Sequence, residues 1–74
     1  MALATGIYQH FKGGQYQVLA VAEHSETGEQ LVVYLALYDL SKTWLRPLQQ
    51  FNETVESKGE RLPRFRYLGP ADAP

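Results

Sequence analysis

Gln30-Leu31-Val32-Val33-Tyr34-Leu35-Ala36-Leu37-Tyr38 is the stretch on which the fold turns. Leu31 to Tyr38 is the longest apolar run of the chain. It is the length of a strand, far short of the ~20 residues a membrane-crossing helix needs. On an extended chain Leu31, Val33, Leu35 and Leu37 share one face, and Val32, Tyr34, Ala36 and Tyr38 the other. With both faces apolar, this is the most buried strand of the fold. The leucine-bearing face is expected to point inward, with Leu31, Val33 and Leu35 joining Val18, Phe51 and Phe65 in the core.

Upstream of this run, Ser25-Glu26-Thr27-Gly28 reads as a type I turn closed by a left-handed glycine. Before it lies a strand over Tyr16–His24, whose Ala20 and Ala22 leave little bulk and so permit close approach where a sheet bends. Lys12-Gly13-Gly14-Gln15 is a tight turn, because the glycine pair supplies positive φ. A first strand over Gly6–Phe11 precedes it. Downstream, Asp39-Leu40-Ser41-Lys42 turns the chain into a fourth strand over Thr43–Leu48. Pro47 closes that strand, because proline cannot donate to a ladder. Pro47 to Phe51 forms one helical turn, and Glu56 to Glu60 a polar loop. The last strand spans Arg64–Leu68.

Short strands separated by turn residues define an all-β fold. Their order, with a helical turn before the last strand, predicts a small five-stranded SH3-like β-barrel. A split sheet with a longer helix over 47–56 is the competing layout. One domain over 6–68 is expected, between a flexible start at 1–5 and a flexible tail at 69–74. Met1 to Thr5 lacks the basic and apolar segments of a secretory signal, so a cytoplasmic setting is expected.

The 74 residues are 45% hydrophobic and 20% charged, the composition of a chain that folds. There is no cysteine, so the core must hold alone or with a partner chain. An apolar edge in so small a domain suits a homodimer. The net charge of −1 argues against a dedicated polyanion binder. It is nevertheless the sum of an acidic stretch at 23–29 and a basic one at 58–66.

Several motifs run through the chain in order: Tyr8-x-His10-x-Lys12-Gly13, Tyr16-x-Val18, Ala22-x-His24-Ser25-Glu26-Thr27, Leu31-Val32-Val33-Tyr34, Ala36-Leu37-Tyr38 and Trp44-x-Arg46-Pro47-Leu48. With Phe51 and Pro63-Arg64-Phe65, they resemble the bacterial family catalogued as domain of unknown function 1653 over roughly residues 6 to 68. Glu23 stands where that family has arginine or a small residue, and Leu45 where it has valine. The resemblance implies a bacterial, cytoplasmic protein. It implies no activity, cofactor or catalytic residue.

His10 and His24 are too far apart in strand register to share a metal, and no cofactor is expected. Ser25 follows His24 directly, so the two point to opposite faces, and no nucleophile elbow surrounds the serine. An enzyme is therefore not expected. The basic residues Arg64 and Arg66, joined by Arg46, offer guanidinium groups to an anion if they converge. The tyrosines and Trp44 exceed what so small a core can enclose with every polar tip satisfied, so some must reach the surface. A non-catalytic binding module follows, with Trp44, Arg46, Arg64, Arg66, Tyr34, Tyr38 and His24 as ligand-binding candidates and a peptide or protein as the expected partner. The alternative is single-stranded nucleic acid held on the Trp/Arg surface.

Overall fold

The structure is a computed structural model, and it describes residues 3–71. The element order is β1 (Gly6–His10), β2 (Gln15–Glu23), β3 (Gln30–Ala36), β4 (Thr43–Pro47), α1 (Leu48–Phe51), β5 (Thr54–Ser57), β6 (Glu60–Pro63) and β7 (Phe65–Gly69). The fold is mostly β, as the sequence predicts, with the single helical turn where it was expected. The strand pairing does not close into a barrel. One antiparallel sheet has the order β4-β3-β2-β1-β7, which leaves β4 and β7 as edges.

Two strands exceed the expected five. The segment 54–63, whose residues Glu56 to Glu60 are expected to be a polar loop, is a β5–β6 hairpin. Its turn residues Lys58 and Gly59 both have positive φ, 53° and 81°. That is the type I′ geometry matching the natural twist of paired strands. Arg64 N–H donates to Glu53 O and Phe11 N–H to Arg64 O, so the hairpin is tied back at the junction into β7. Gly69 ends β7, so the ordered sheet runs through a residue assigned to the tail. The expected flexible ends at 1–5 and 69–74 fall partly outside the described residues.

The buried face of β3 is the opposite of the one expected. Val32, Tyr34 and Ala36 are buried, whereas Leu31, Val33 and Leu35 are only half-buried. Of the expected core, Val18, Phe51 and Phe65 are buried, joined by Tyr8. The physical reason lies in the aromatic residues of the neighbouring elements. Tyr8, Tyr34, Phe51 and Phe65 interlock, with Phe51 stacked on Phe65 at 4.0 Å and set edge-on to Tyr34 at 5.6 Å. Such a cluster removes more surface from water than an aliphatic stripe of equal length. The face carrying Tyr34 therefore turns inward beneath α1, whose Phe51 is 1% exposed.

β2 serves both halves of the sheet through a bulge. Its residues 15–18 pair with β1, and the register with β3 slips between Val18 and Ala20. The slip places Val18 opposite Tyr34 and Val21 opposite Val32, keeping both on the core side. Ala20 and Ala22 are exposed on the other face, so neither provides the close approach expected of it. The turn at Ser25–Gly28 ends as expected on left-handed Gly28 (φ 77°).

Candidate functional site

The aromatic core does not stop at the surface. From Phe65 and Tyr34 it continues through Tyr16 to Trp44 and Tyr38. Tyr16 pairs with Ala36 across β2 and β3, and Trp44 pairs with Tyr34 across β3 and β4. The small Ala36 side chain leaves room above it, so the rings of Tyr16 and Trp44 approach to 6.1 Å. Tyr38 stands edge-on to Tyr16 at 5.8 Å, with the two hydroxyls 3.3 Å apart. Trp44 is 38% exposed and Tyr38 61%. Burial, first, and then the Tyr38 hydrogen bond push the Tyr16 hydroxyl up to about 12. Tyr16 therefore acts as a neutral hydrogen-bonding group throughout the physiological range.

Arg46 lies on the same face as Trp44. Its Nε donates to the Tyr34 hydroxyl at 3.3 Å, and its guanidinium lies 5.6 Å from the centre of the Phe65 ring. This half-buried cation is held by a phenol and a ring face rather than by an acid. Among the described residues the ion pairs are Lys42–Asp39 and Arg64–Glu53, and neither involves Arg46.

His10, at the end of β1, stands edge-on to Phe65 at 4.9 Å and to Tyr16 at 6.4 Å. Its Nδ1 accepts the Lys12 backbone N–H at 3.1 Å. Burial lowers its pKa, and Arg46, Arg64 and Lys12 lower it further. The cationic groups thus raise the potential around the end of β1.

The remaining candidates are dispersed. Arg64 is committed to Glu53 at 3.2 Å, while its Nε is buried without a hydrogen-bond partner. Arg66 pairs in register with Gln9, on the face opposite Tyr8 and Phe65, and donates to Gln9 Oε1 at 3.1 Å. Arg46 and Arg64 thus both act on His10, whereas Arg66 lies on the other face of the sheet and does not join them. His24 organises the β2–β3 turn, its Nδ1 accepting the backbone N–H groups of Glu26 and Thr27 at 3.1 and 3.4 Å. The aromatic face thus brings together Tyr34, Tyr38, Trp44 and Arg46 of the candidates, with Tyr16 and His10 beside them. Sequence reasoning missed those last two as site residues. Tyr16 carried one usable signal, its shared face with Val18. His10 carried none without the strand register.

Three recesses of the described surface, beside Gln9, Phe11 and Leu62, beneath Pro47 and Leu48, and beside Thr5 and Leu19, are lined by none of Tyr16, Tyr34, Tyr38, Trp44 and Arg46. β4 borders the face as a free edge. Ala36 N–H donates to Lys42 O at 3.1 Å, which sets the alternation of the ladder. Trp44 and Arg46 accordingly direct their backbone groups to β3, and Thr43 and Leu45 direct theirs outward.

The chain belongs to the family described as protein of unknown function (DUF1653), whose model matches residues 6–67. It is also similar to a crystal structure of a DUF1653 protein from Bordetella bronchiseptica, with 36% identity and a TM-score of 0.85. That similarity covers 97% of this chain and 95% of the other. No curated protein matches.

Proposed function

We propose that this domain is a non-catalytic binding module that takes a peptide or protein partner on the face formed by Tyr16, Tyr38, Trp44 and Arg46. The observation that carries the reading is Arg46. A half-buried guanidinium, oriented by Tyr34 and Phe65 and without an acidic partner among the described residues, is poised for an anionic group. Beside it, Trp44 and Tyr38 offer exposed ring faces. An exposed aromatic surface suits an extended chain better than an enclosed small molecule. The free backbone groups of Thr43 and Leu45 supply a ladder along which such a chain can lie. An SH3-like manner of holding peptides, and a cytoplasmic setting, belong to this proposal.

Single-stranded nucleic acid is the second reading, favoured by the ring faces of Trp44 and Tyr38 next to Arg46. Against it, Arg64 is neutralised by Glu53 and Arg66 faces away. Salt dependence separates the two. Arrayed acidic peptides and oligothymidylate are titrated while Trp44 fluorescence is followed. Saturable peptide binding that falls only modestly as salt rises and is lost in Trp44→Ala supports the module. Binding confined to the oligonucleotide, falling steeply as salt rises, transfers the site to nucleic acid. No saturable change with either probe rejects both.

A further inference from the structure

A second recess lies on the Gln9 side of β1 and shares only His10 with the aromatic face. Between the end of β1 and the corner joining β6 to β7 is a hollow of about 250 Å³. Phe11, Leu62 and Pro63 give it apolar walls, and Gln9, His10 and Arg66 give it polar ones. Its volume is close to the lower end of the range for small-ligand clefts, roughly 300–1,000 Å³.

The polar wall is organised. Gln9 Nε2 donates to Gly13 O at 3.3 Å, and Gln9 Oε1 accepts from Arg66 at 3.1 Å. The glutamine thus links the arginine to the β1–β2 turn and fixes its guanidinium beside the hollow. A guanidinium carries several N–H donors in a planar fork, and one Arg66 nitrogen is engaged by Gln9. Among the described residues no carboxylate lies within salt-bridge distance of Arg66, and no acidic residue lines the hollow. Lys12 adds positive charge near the rim, its Nζ 5.8 Å from the centre of the Phe11 ring.

The geometry points to a binding site for a carboxylate carried on a small apolar group, with Arg66 as the anion anchor and Phe11, Leu62 and Pro63 as the apolar seat. One planar fork matches the two oxygens of a carboxylate, and the apolar walls match the carbon body behind it. The C-terminal residue of a peptide and a small free organic acid share this chemistry.

The test is an NMR titration of isotope-labelled protein with phenylacetate, phenylacetamide, acetyl-Ala-Leu with a free carboxylate, its C-terminal amide, and inorganic phosphate. We expect saturable shifts at the amides of Gln9, Phe11, Gly13, Leu62 and Arg66 with an acid and not with its amide. Arg66→Gln should weaken binding at least tenfold while leaving the rest of the spectrum dispersed. Leu62→Glu, which brings a like charge to the hollow, should do the same. Tighter binding of acetyl-Ala-Leu than of phenylacetate identifies a peptide C-terminus, and the reverse identifies a free acid. Retained binding in Trp44→Ala keeps this site separate from the aromatic face. Equal shifts from acid and amide, phosphate as the only binder, unchanged affinity in folded Arg66→Gln, or no saturable shift with any acid would each overturn the assignment.

Discussion

Arg46 Nε donates to the Tyr34 hydroxyl at 3.3 Å, and this bond aims the guanidinium at the Phe65 ring. Tyr34 is buried among aromatic rings, so Tyr34→Phe keeps the packing and removes the acceptor alone. Urea denaturation should show a loss of about 0.5–1.5 kcal/mol, the usual net worth of one hydrogen bond. Arg46→Lys should weaken partner binding without unfolding the domain, because an ammonium cannot reproduce the planar contact with the ring.

The inverted face of β3 gives a sharper pair of variants. Val32 is 0% exposed and pairs with Val21 on the core side, whereas Val33 lies on the half-buried face beside Leu45. Val32→Asp should abolish cooperative unfolding, since it buries an unpaired charge. Val33→Asp should remain folded with a lowered melting temperature. Circular dichroism melts of the two proteins, run side by side, decide the matter. A folded Val32→Asp protein would return the core to the leucine face.

Stability should depend on pH through His10. Its pKa lies below the usual histidine value in the folded state, from burial first and then from Arg46, Arg64 and Lys12. The unfolded chain therefore binds more protons in the window between the folded value and ~6.5. Stability from this source is complete above ~6.5 and is lost as pH falls through the window. Protonation also removes the Nδ1 lone pair that accepts the Lys12 N–H. Urea midpoints measured from pH 7.5 down to pH 5 should fall less in His10→Gln than in the parent. Parallel profiles would remove His10 from the account.

Gly6 and Gly13 both have positive φ, 138° and 112°, yet they should respond differently to alanine. At Gly6 a Cβ would run into the backbone oxygen of Gly69 and the Tyr67 ring, whereas at Gly13 nothing lies within 4 Å. Gly13→Ala should cost about 1–3 kcal/mol in backbone strain alone. Gly6→Ala should cost more and loosen β1 from β7, seen as faster amide exchange at Gln9 and Arg66, whose backbone groups face each other across that ladder. Equal losses would show that the steric contact is relieved without expense.

Lys58 offers a gain. It occupies the first central position of the type I′ turn at φ 53°, where asparagine and glycine are preferred. Lys58→Asn should raise the urea midpoint by an amount equivalent to about 0.5–1 kcal/mol. An unchanged or lowered midpoint would contradict the turn assignment.

Turn chemistry and prolines made the upper sheet readable. Gly13-Gly14, Gly28 and Pro47 each mark a boundary that the structure keeps. The inner face of β3 was not readable, because Leu31 to Tyr38 is apolar on both sides and alternation alone cannot choose between them. The choice is made by Phe51 and Phe65, which are distant in sequence and meet Tyr34 only once α1 and β7 are in place. The β5–β6 hairpin was hidden for a different reason: its turn carries Lys58 where a hairpin signal would normally show asparagine or aspartate. Trp44, Tyr38, Tyr34 and Arg46 were identifiable by residue type. The contribution of His10, and the separation of Arg66 from Arg46, follow from strand register.

The bulge at Leu19 also divides the sheet into regions of unequal permanence. Up to Val18, β2 is flanked by β1 on one side and β3 on the other; beyond the slip it keeps β3 alone. The part from Ala22 to Leu31, with the Ser25–Gly28 turn at its tip, is therefore an outlying arm that can open without disturbing the Phe51–Phe65 stack. Hydrogen exchange should divide β2 at this point, with slow amides from Gln15 to Val18 and faster ones from Ala22 onward.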